Sequence, residues 1–266
     1  MKVISVINFK GGVGKSTVTF NLGAELSKKN KKVLLIDFDG QGNLTKFTGV
    51  DSENPCEENI ITALTKIMAG EKIKKDPIYK INENLDIVPC NIQKERWSNM
   101  AVSVLARETI LKRYLDGLKK RHDYDYIFID NAPSINLDLQ NSLTSADEYL
   151  VVAEPQIAST DGIEAILDVI KQIKDYFNPK LTGKGILINK AEERTNLYKI
   201  MENIIKNSWG EDLYIFDTIL PKSTVVGESE FFGIPICEYK ADSKIGKAFN
   251  NLAIEFLDEE RSKTWH

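Results

Sequence analysis

Phe9-Lys10-Gly11-Gly12-Val13-Gly14-Lys15-Ser16-Thr17 is the stretch that decides the fold. A phosphate-binding loop reads G-x-x-x-x-G-K-[ST]; here Phe9 occupies the place of the leading glycine and Lys10 follows it. The preceding run, Val3-Ile4-Ser5-Val6-Ile7, is short, apolar and β-branched, which predicts a buried parallel strand. Gly11, Gly12 and Gly14 let the backbone turn tightly and bring its N–H groups against phosphate oxygens. A helix is expected from about Ser16, its positive dipole end toward the phosphates. Residues Lys10 to Thr17, Val13 included, then form a nucleotide cradle. In it Lys15 reaches the β- and γ-phosphates and the Ser16 hydroxyl ligates Mg²⁺. Lys10 is either an ordinary solvated lysine or a cation placed to neutralise charge developing in phosphoryl transfer, as an arginine finger does in trans.

Two more apolar runs end in carboxylates. Val33-Leu34-Leu35-Ile36 leads into Asp37-Phe38-Asp39-Gly40-Gln41-Gly42-Asn43, and Tyr126-Ile127-Phe128-Ile129 leads into Asp130-Asn131-Ala132-Pro133-Ser134. The carboxyl ends of parallel strands are where doubly wound sheets bind ligands. Asp130 suits Mg²⁺ held through a water, since that ion dehydrates reluctantly. Taken alone, an aspartate such as Asp39 also fits a plain turn.

Outward from these segments, apolar stretches alternate with helical ones. Strands are expected at 33–37, 85–89, 126–130, 148–155, 185–189 and 214–220, and helices at 15–29, 57–69, 100–120, 161–176, 195–207 and 243–258. The Lys/Glu-rich stretch 71–84 reads as a solvated connection. Such alternation predicts an α/β fold: a doubly wound, mostly parallel sheet with helices on both faces. With 266 residues, 42% hydrophobic, residues 1–266 are expected to form a single domain. The first strand begins at once, so neither a signal peptide nor an N-terminal helix-turn-helix region is expected. No apolar run approaches the roughly 18 residues of a membrane span. Cys56, Cys90 and Cys237 are scattered without a C-x-x-C pair, which argues against disulfides and zinc and for a reducing cytoplasm.

The K-G-G-x-G-K-[ST] spelling at Lys10–Ser16 resembles the deviant Walker A motif of the ParA/MinD/Soj family of ATPases. Asp37–Asn43 is similar to that family's switch I, with Gly40 where proline is usual. Asp130–Ser134 is similar to its Walker B and switch II, with Ala132 for a proline. The resemblance implies an ATP- and Mg²⁺-dependent ATPase that works as a sandwich homodimer. Lys10 would cross to the partner's nucleotide, and Asp39 would position the attacking water and help Ser16 and Asp130 hold Mg²⁺. Asn189 is either a cap or an amide offered to adenine; Pro221 either ends a strand or lies against the base. Arg194-Thr195-Asn196-Leu197 resembles the family's R-T-N-L, which implies non-specific DNA binding by Arg194 with Lys222. A second family arginine is replaced by Val225, so Lys240, Lys244 and Lys247 are candidate substitutes. With a net charge of −4, DNA binding requires a local basic patch. By this resemblance the protein is a partition ATPase for plasmid or chromosome segregation, nucleoid-associated and stimulated by a ParB-like partner. The alternative is a MinD-like membrane-positioning ATPase. Against it stands the tail Leu252–His266, acidic before its last few residues and poorly suited to anionic lipid. After Pro155 the family often has a glutamate, whereas residues 156–162 read Gln-Ile-Ala-Ser-Thr-Asp-Gly, which implies an altered cross-dimer contact.

Overall fold

The computed structural model describes residues 1–50, 58–91, 94–156 and 158–258. In chain order the elements are β1 (Lys2–Ile7), α1 (Lys15–Lys28), β2 (Val33–Phe38), α2 (Asn43–Phe47), α3 (Ile60–Met68), β3 (Tyr79–Lys80), β4 (Leu85–Val88), α4 (Lys94–Ala101), a 3₁₀ turn (Arg107–Thr109) and α5 (Ile110–Arg121). There follow β5 (Tyr126–Asn131), α6 (Leu137–Ser145), β6 (Glu148–Ala153), α7 (Ala158–Tyr176), β7 (Thr182–Ile188), α8 (Asn196–Trp209), α9 (Thr224–Phe232), α10 (Ile236–Tyr239) and α11 (Lys244–Leu257).

The strands form one sheet in the order β3-β4-β2-β5-β1-β6-β7, parallel except for β3 at the edge. Period-two alternation in β1 explains why both faces are covered. Val3 and Ile7 join the apolar layer beneath α3 and α5 to α8, while Ile4 and Val6 join the one beneath α1, α10 and α11. Phe256 of α11 packs against Tyr126 and Phe128 of β5, with centroids 5.6 Å apart in each case. Because the strands are parallel, the loops after β1, β2, β5, β6 and β7 gather at one edge of the sheet, and this gathering builds the site.

Three local expectations are corrected. Residues 100–120 are not one helix: α4 ends at Ala101, Ala106 has a φ of 53°, and α5 begins at Ile110. Asn141 of α6 holds the break, accepting from the Leu111 N–H and donating to the Arg107 carbonyl. The 71–84 connection is not wholly solvated, for it carries β3 and the buried Asp76. That carboxylate takes both Arg121 Nε and Nη2 at 2.8 Å.

Residues 214–220 form no strand either. They run beside β7, pairing with it in an isolated bridge at Ile186–Ile215 and through the Leu220 N–H on the Ile188 carbonyl, and a second bridge, Ala191–Pro221, follows. The physical reason is Glu255 on α11. Its carboxylate accepts the Asp217 N–H at 2.7 Å and the Thr218 N–H at 2.9 Å, and the second of these is a donor the ladder with β7 would have used. Glu255 is half-buried, and hydrogen bonds from Thr218, Tyr214 and Asp217 overcome its burial and hold its carboxyl below the ordinary glutamate range. A depressed carboxyl contributes stability above its unfolded pKa and loses it as pH falls through the folded one. Glu255→Gln is therefore expected to cost about 1–2 kcal/mol near pH 7, after discounting for solvent screening, and nothing below about pH 3. Urea melts at pH 7 and pH 3 measure it; an equal loss at both would sink the carboxylate's role.

Among the described residues no helix is long and apolar enough to cross a membrane. Cys90 and Cys237 are buried and form no disulfide among the described residues. Cys56, the side chains of 157–162 and the tail 259–266 lie outside the described residues.

Candidate functional site

The chain leaves β1 at Ile7 and turns over Asn8 to Gly14 before entering α1. Asn8 anchors the turn twice: its Nδ2 donates to the Val152 carbonyl at 2.6 Å, and its Oδ1 accepts the Lys10 N–H at 2.8 Å. Gly14 is the residue before α1 and has a φ of 92°, a region L side chains avoid. No side chain caps α1, so its first N–H groups stay open toward the cleft, as an anion site requires. The cleft encloses about 280 Å³ and is lined by Gly11, Gly12, Gly14, Lys15, Ser16 and Thr17 on one side. Asp39, Gln41, Asn43, Phe47, Pro133 and Lys190 complete the lining. Val13 is buried beneath the loop.

The carboxylates are set by strand register. Asp37 lies directly opposite Asp130 across the β2–β5 pair. Asp37 is satisfied: it accepts the Thr45 N–H at 2.8 Å, the Thr45 hydroxyl at 2.6 Å and the Asp39 N–H at 3.1 Å. Burial still pushes its carboxyl up to about 6. Asp130 is fully buried, and neither of its oxygens has a hydrogen-bond partner. Burial first, then the charge of Asp37, drive its carboxyl upward; Ser16 and Lys15 oppose this only in part. Ser16 stands near enough to do so without meeting hydrogen-bond geometry. Lys15 is 7% exposed and makes no hydrogen bond or ion pair among the described residues. Burial lowers its ammonium, against the pull of Asp130 and Asp39. A buried bare ammonium, a buried bare carboxylate and an uncapped helix start are mutually incomplete. A polyphosphate with a divalent cation would satisfy all three, so the residues present fit ATP and Mg²⁺. Among the described residues no cluster of three or more acidic, histidine or cysteine side chains could hold a metal without such an anion.

The other anticipated residues fall at the same edge. Lys10 Nζ donates to the Gln156 side-chain oxygen, in the loop after β6. Asn189, at the end of β7, donates its amide to the Val13 carbonyl at 2.7 Å, while Pro221 is buried beside Ala191. Arg194 is exposed and makes no ion pair among the described residues. Lys222 pairs with Glu192 at 2.6 Å and Lys244 with Glu193 at 2.8 Å; Lys247 is exposed one turn further along α11. Two contacts had no sequence signal. Glu230 of α9 accepts the Thr17 hydroxyl, and Lys190 donates to the Gly12 carbonyl.

Comparison with known proteins gives the same picture. A family model described as an AAA domain matches residues 1–183. The chain is 34% identical to an uncharacterized protein of Methanocaldococcus jannaschii, over 95% of this chain and 97% of that one. It is 32% identical to the sporulation initiation inhibitor protein Soj of Bacillus subtilis, over 96% and 97% of the two. It is 27% identical to the chromosome partitioning protein ParA of Caulobacter vibrioides, over 99% and 96%. Among solved structures it is similar to cobyrinic acid a,c-diamide synthase of Mycobacterium smegmatis with bound ATP analog and magnesium. That match has a TM-score of 0.82 at 25% identity, covering 98% of this chain and 96% of that one. It is also similar to the septum site-determining protein MinD of Pyrococcus horikoshii complexed with Mg-ADP, with a TM-score of 0.75 at 26% identity, covering 99% and 98%.

Proposed function

The chain belongs to the AAA domain family, among its ParA- and Soj-type P-loop ATPases that use ATP and Mg²⁺, and we propose that it is the DNA-segregation ATPase of a partition system. In this reading ATP joins two copies face to face, the dimer binds DNA without sequence preference, and hydrolysis releases it. Lys15 and the loop amides hold the phosphates, Ser16 and Asp130 hold Mg²⁺, Asp39 orients the attacking water, and Lys10 neutralises charge on the partner's nucleotide. Asn189 and Pro221 border the base. A ParB-like protein stimulates turnover, and the protein works in the cytoplasm on the nucleoid. All of this resides in one domain, residues 1–266.

The observation that supports DNA as the surface is the basic cluster around the β7–α8 turn. Glu192 and Glu193 hold Lys222 and Lys244, from 30 and 51 residues away, at the two positions preceding Arg194, which makes no ion pair among the described residues. With Lys247 this makes a local cationic patch on an acidic protein, which suits phosphate-directed contact. The two glutamates also neutralise half of the four expected DNA contacts.

The test is DNA co-sedimentation with ATP, ADP or no nucleotide. Wild type is expected to pellet with DNA only with ATP, and Lys10→Ala to lose that response. Glu192→Gln with Glu193→Gln is expected to tighten binding about tenfold at 0.1 M salt. It should also steepen the salt dependence by about two counterions, since two lysines become free for phosphate. DNA binding indifferent to nucleotide would defeat the switch. Retention on anionic liposomes and not on DNA would favour the MinD-like reading.

A further inference from the structure

Lys190 has no task in the chemistry above, yet its placement is among the most constrained at the site. β7 ends in Asn189-Lys190, and both side chains turn back onto the phosphate-binding loop. Asn189 Nδ2 donates to the Val13 carbonyl at 2.7 Å, and Lys190 Nζ donates to the Gly12 carbonyl. These carbonyls belong to successive peptide units whose other ends are the Val13 and Gly14 N–H groups. The amide is conjugated, so a donor on its oxygen draws electron density from nitrogen and makes the N–H a stronger donor. A full ammonium does this more strongly than a neutral amide. The N–H groups that must face phosphate are therefore sharpened from behind.

Three further observations separate Lys190 from a solvated lysine. Its φ is 55°, a left-handed backbone that a lysine rarely adopts and that directs the side chain over the loop. Its Cε lies 3.9 Å from where a Cβ on Gly14 would stand, so the stem packs on the loop. It also lines both the phosphate cleft and the adjoining cavity of about 210 Å³ beside Glu154, Tyr198 and Lys222. Across the loop, Glu230 accepts from Thr17 and feels the Lys190 charge, so the cation is balanced beside the cleft.

We propose that Lys190 is a nucleotide-positioning residue. Through the Gly12 carbonyl it strengthens the loop's hold on a polyphosphate, and so sets affinity for nucleoside di- and triphosphates without touching the reacting atoms. This rests on the family's ATP chemistry and not on the DNA reading, so either can fail alone.

The test titrates wild type, Lys190→Met and Lys190→Arg with N-methylanthraniloyl-labelled ATP, ADP and AMP in Mg²⁺, alongside steady-state ATPase. Methionine keeps an unbranched stem and removes the ammonium. Lys190→Met is expected to weaken ATP and ADP about tenfold, or 1.4 kcal/mol, while AMP changes less than twofold. KM should rise with kcat unchanged, and Lys190→Arg should recover most of the loss. ATP and ADP affinities of Lys190→Met within twofold of wild type overturn the proposal. So does an equal loss for all three nucleotides with a lowered Tm, because that marks a merely structural role. Lys190→Gln reads the same contrast should the methionine variant not fold.

Discussion

Asp130→Asn is expected to raise the stability of the nucleotide-free protein and to lower Mg²⁺-dependent ATP hydrolysis about 10²–10³-fold. The two effects share one cause. Asp130 is fully buried, neither oxygen is hydrogen-bonded, and Asp37 lies opposite it in the register. Without cation and phosphate, folding buries a carboxylate that nothing compensates. An amide of the same shape removes the charge. Relief of about 1–2 kcal/mol corresponds to roughly 2–6 °C in Tm for a chain this size. The sign with pH follows. The folded carboxyl titrates above its ordinary value, so the folded state takes up the proton first and wild type is least penalised in acid. The advantage of the asparagine should be full above the raised pKa and shrink toward pH 4. Saturating Mg²⁺-ATP should reverse it, because only the aspartate gains from the cation. Differential scanning calorimetry at pH 8 and pH 5, with and without Mg²⁺-ATP, reads every arm. A lower nucleotide-free Tm for the variant at pH 8 would contradict the argument.

Gly14→Ala is expected to cost about 3 kcal/mol and to weaken ATP binding more than 100-fold. The residue has a φ of 92°, where a Cβ strains the backbone by about 1–2 kcal/mol. That Cβ would also stand 2.3 Å from Asn189 Nδ2, which has no room to retreat while it donates to the Val13 carbonyl. Losing this buried hydrogen bond adds about 1–2 kcal/mol and frees the loop that must face phosphate. Gly49→Ala is the control. Its φ is 72°, but nothing lies within 4 Å of the added carbon, so it should cost about 1 kcal/mol and leave ATP binding intact. Isothermal titration with ATP and urea melts on both variants separate strain from clash. Equal behaviour of the two would remove the role assigned to Asn189.

Much of this site is legible in the sequence because its parts are local. Val3 to Ile7, the glycine-rich turn and the amphipathic start of α1 are contiguous, so period, turn chemistry and helix start point to one answer. The strands ending in Asp37 and Asp130 are apolar runs too short to be helices and are read equally well. What escaped reading depends on partners far along the chain. Residues 214–220 carry a strand's composition, yet Glu255 on α11 takes two of their N–H groups. The break before α5 is held by Asn141 on α6. Thr17 meets Glu230 across 213 residues and Gly12 meets Lys190 across 178. No window of sequence contains both halves of such a contact.

The sequence by itself determined that this chain folds as alternating strands and helices, that the loop after β1 binds phosphate, and which carboxylates accompany it. Those properties follow from side-chain period and backbone freedom, which act over a few residues. Only the tertiary structure decided that β5 inserts between β1 and β2. That order sets Asp130 opposite Asp37 without a hydrogen-bond partner of its own, so that the protein's own groups leave the site electrostatically incomplete. The tertiary structure likewise decided that β7 delivers Asn189 and Lys190 to the back of the loop, since strand order and register bring together residues that chain distance separates.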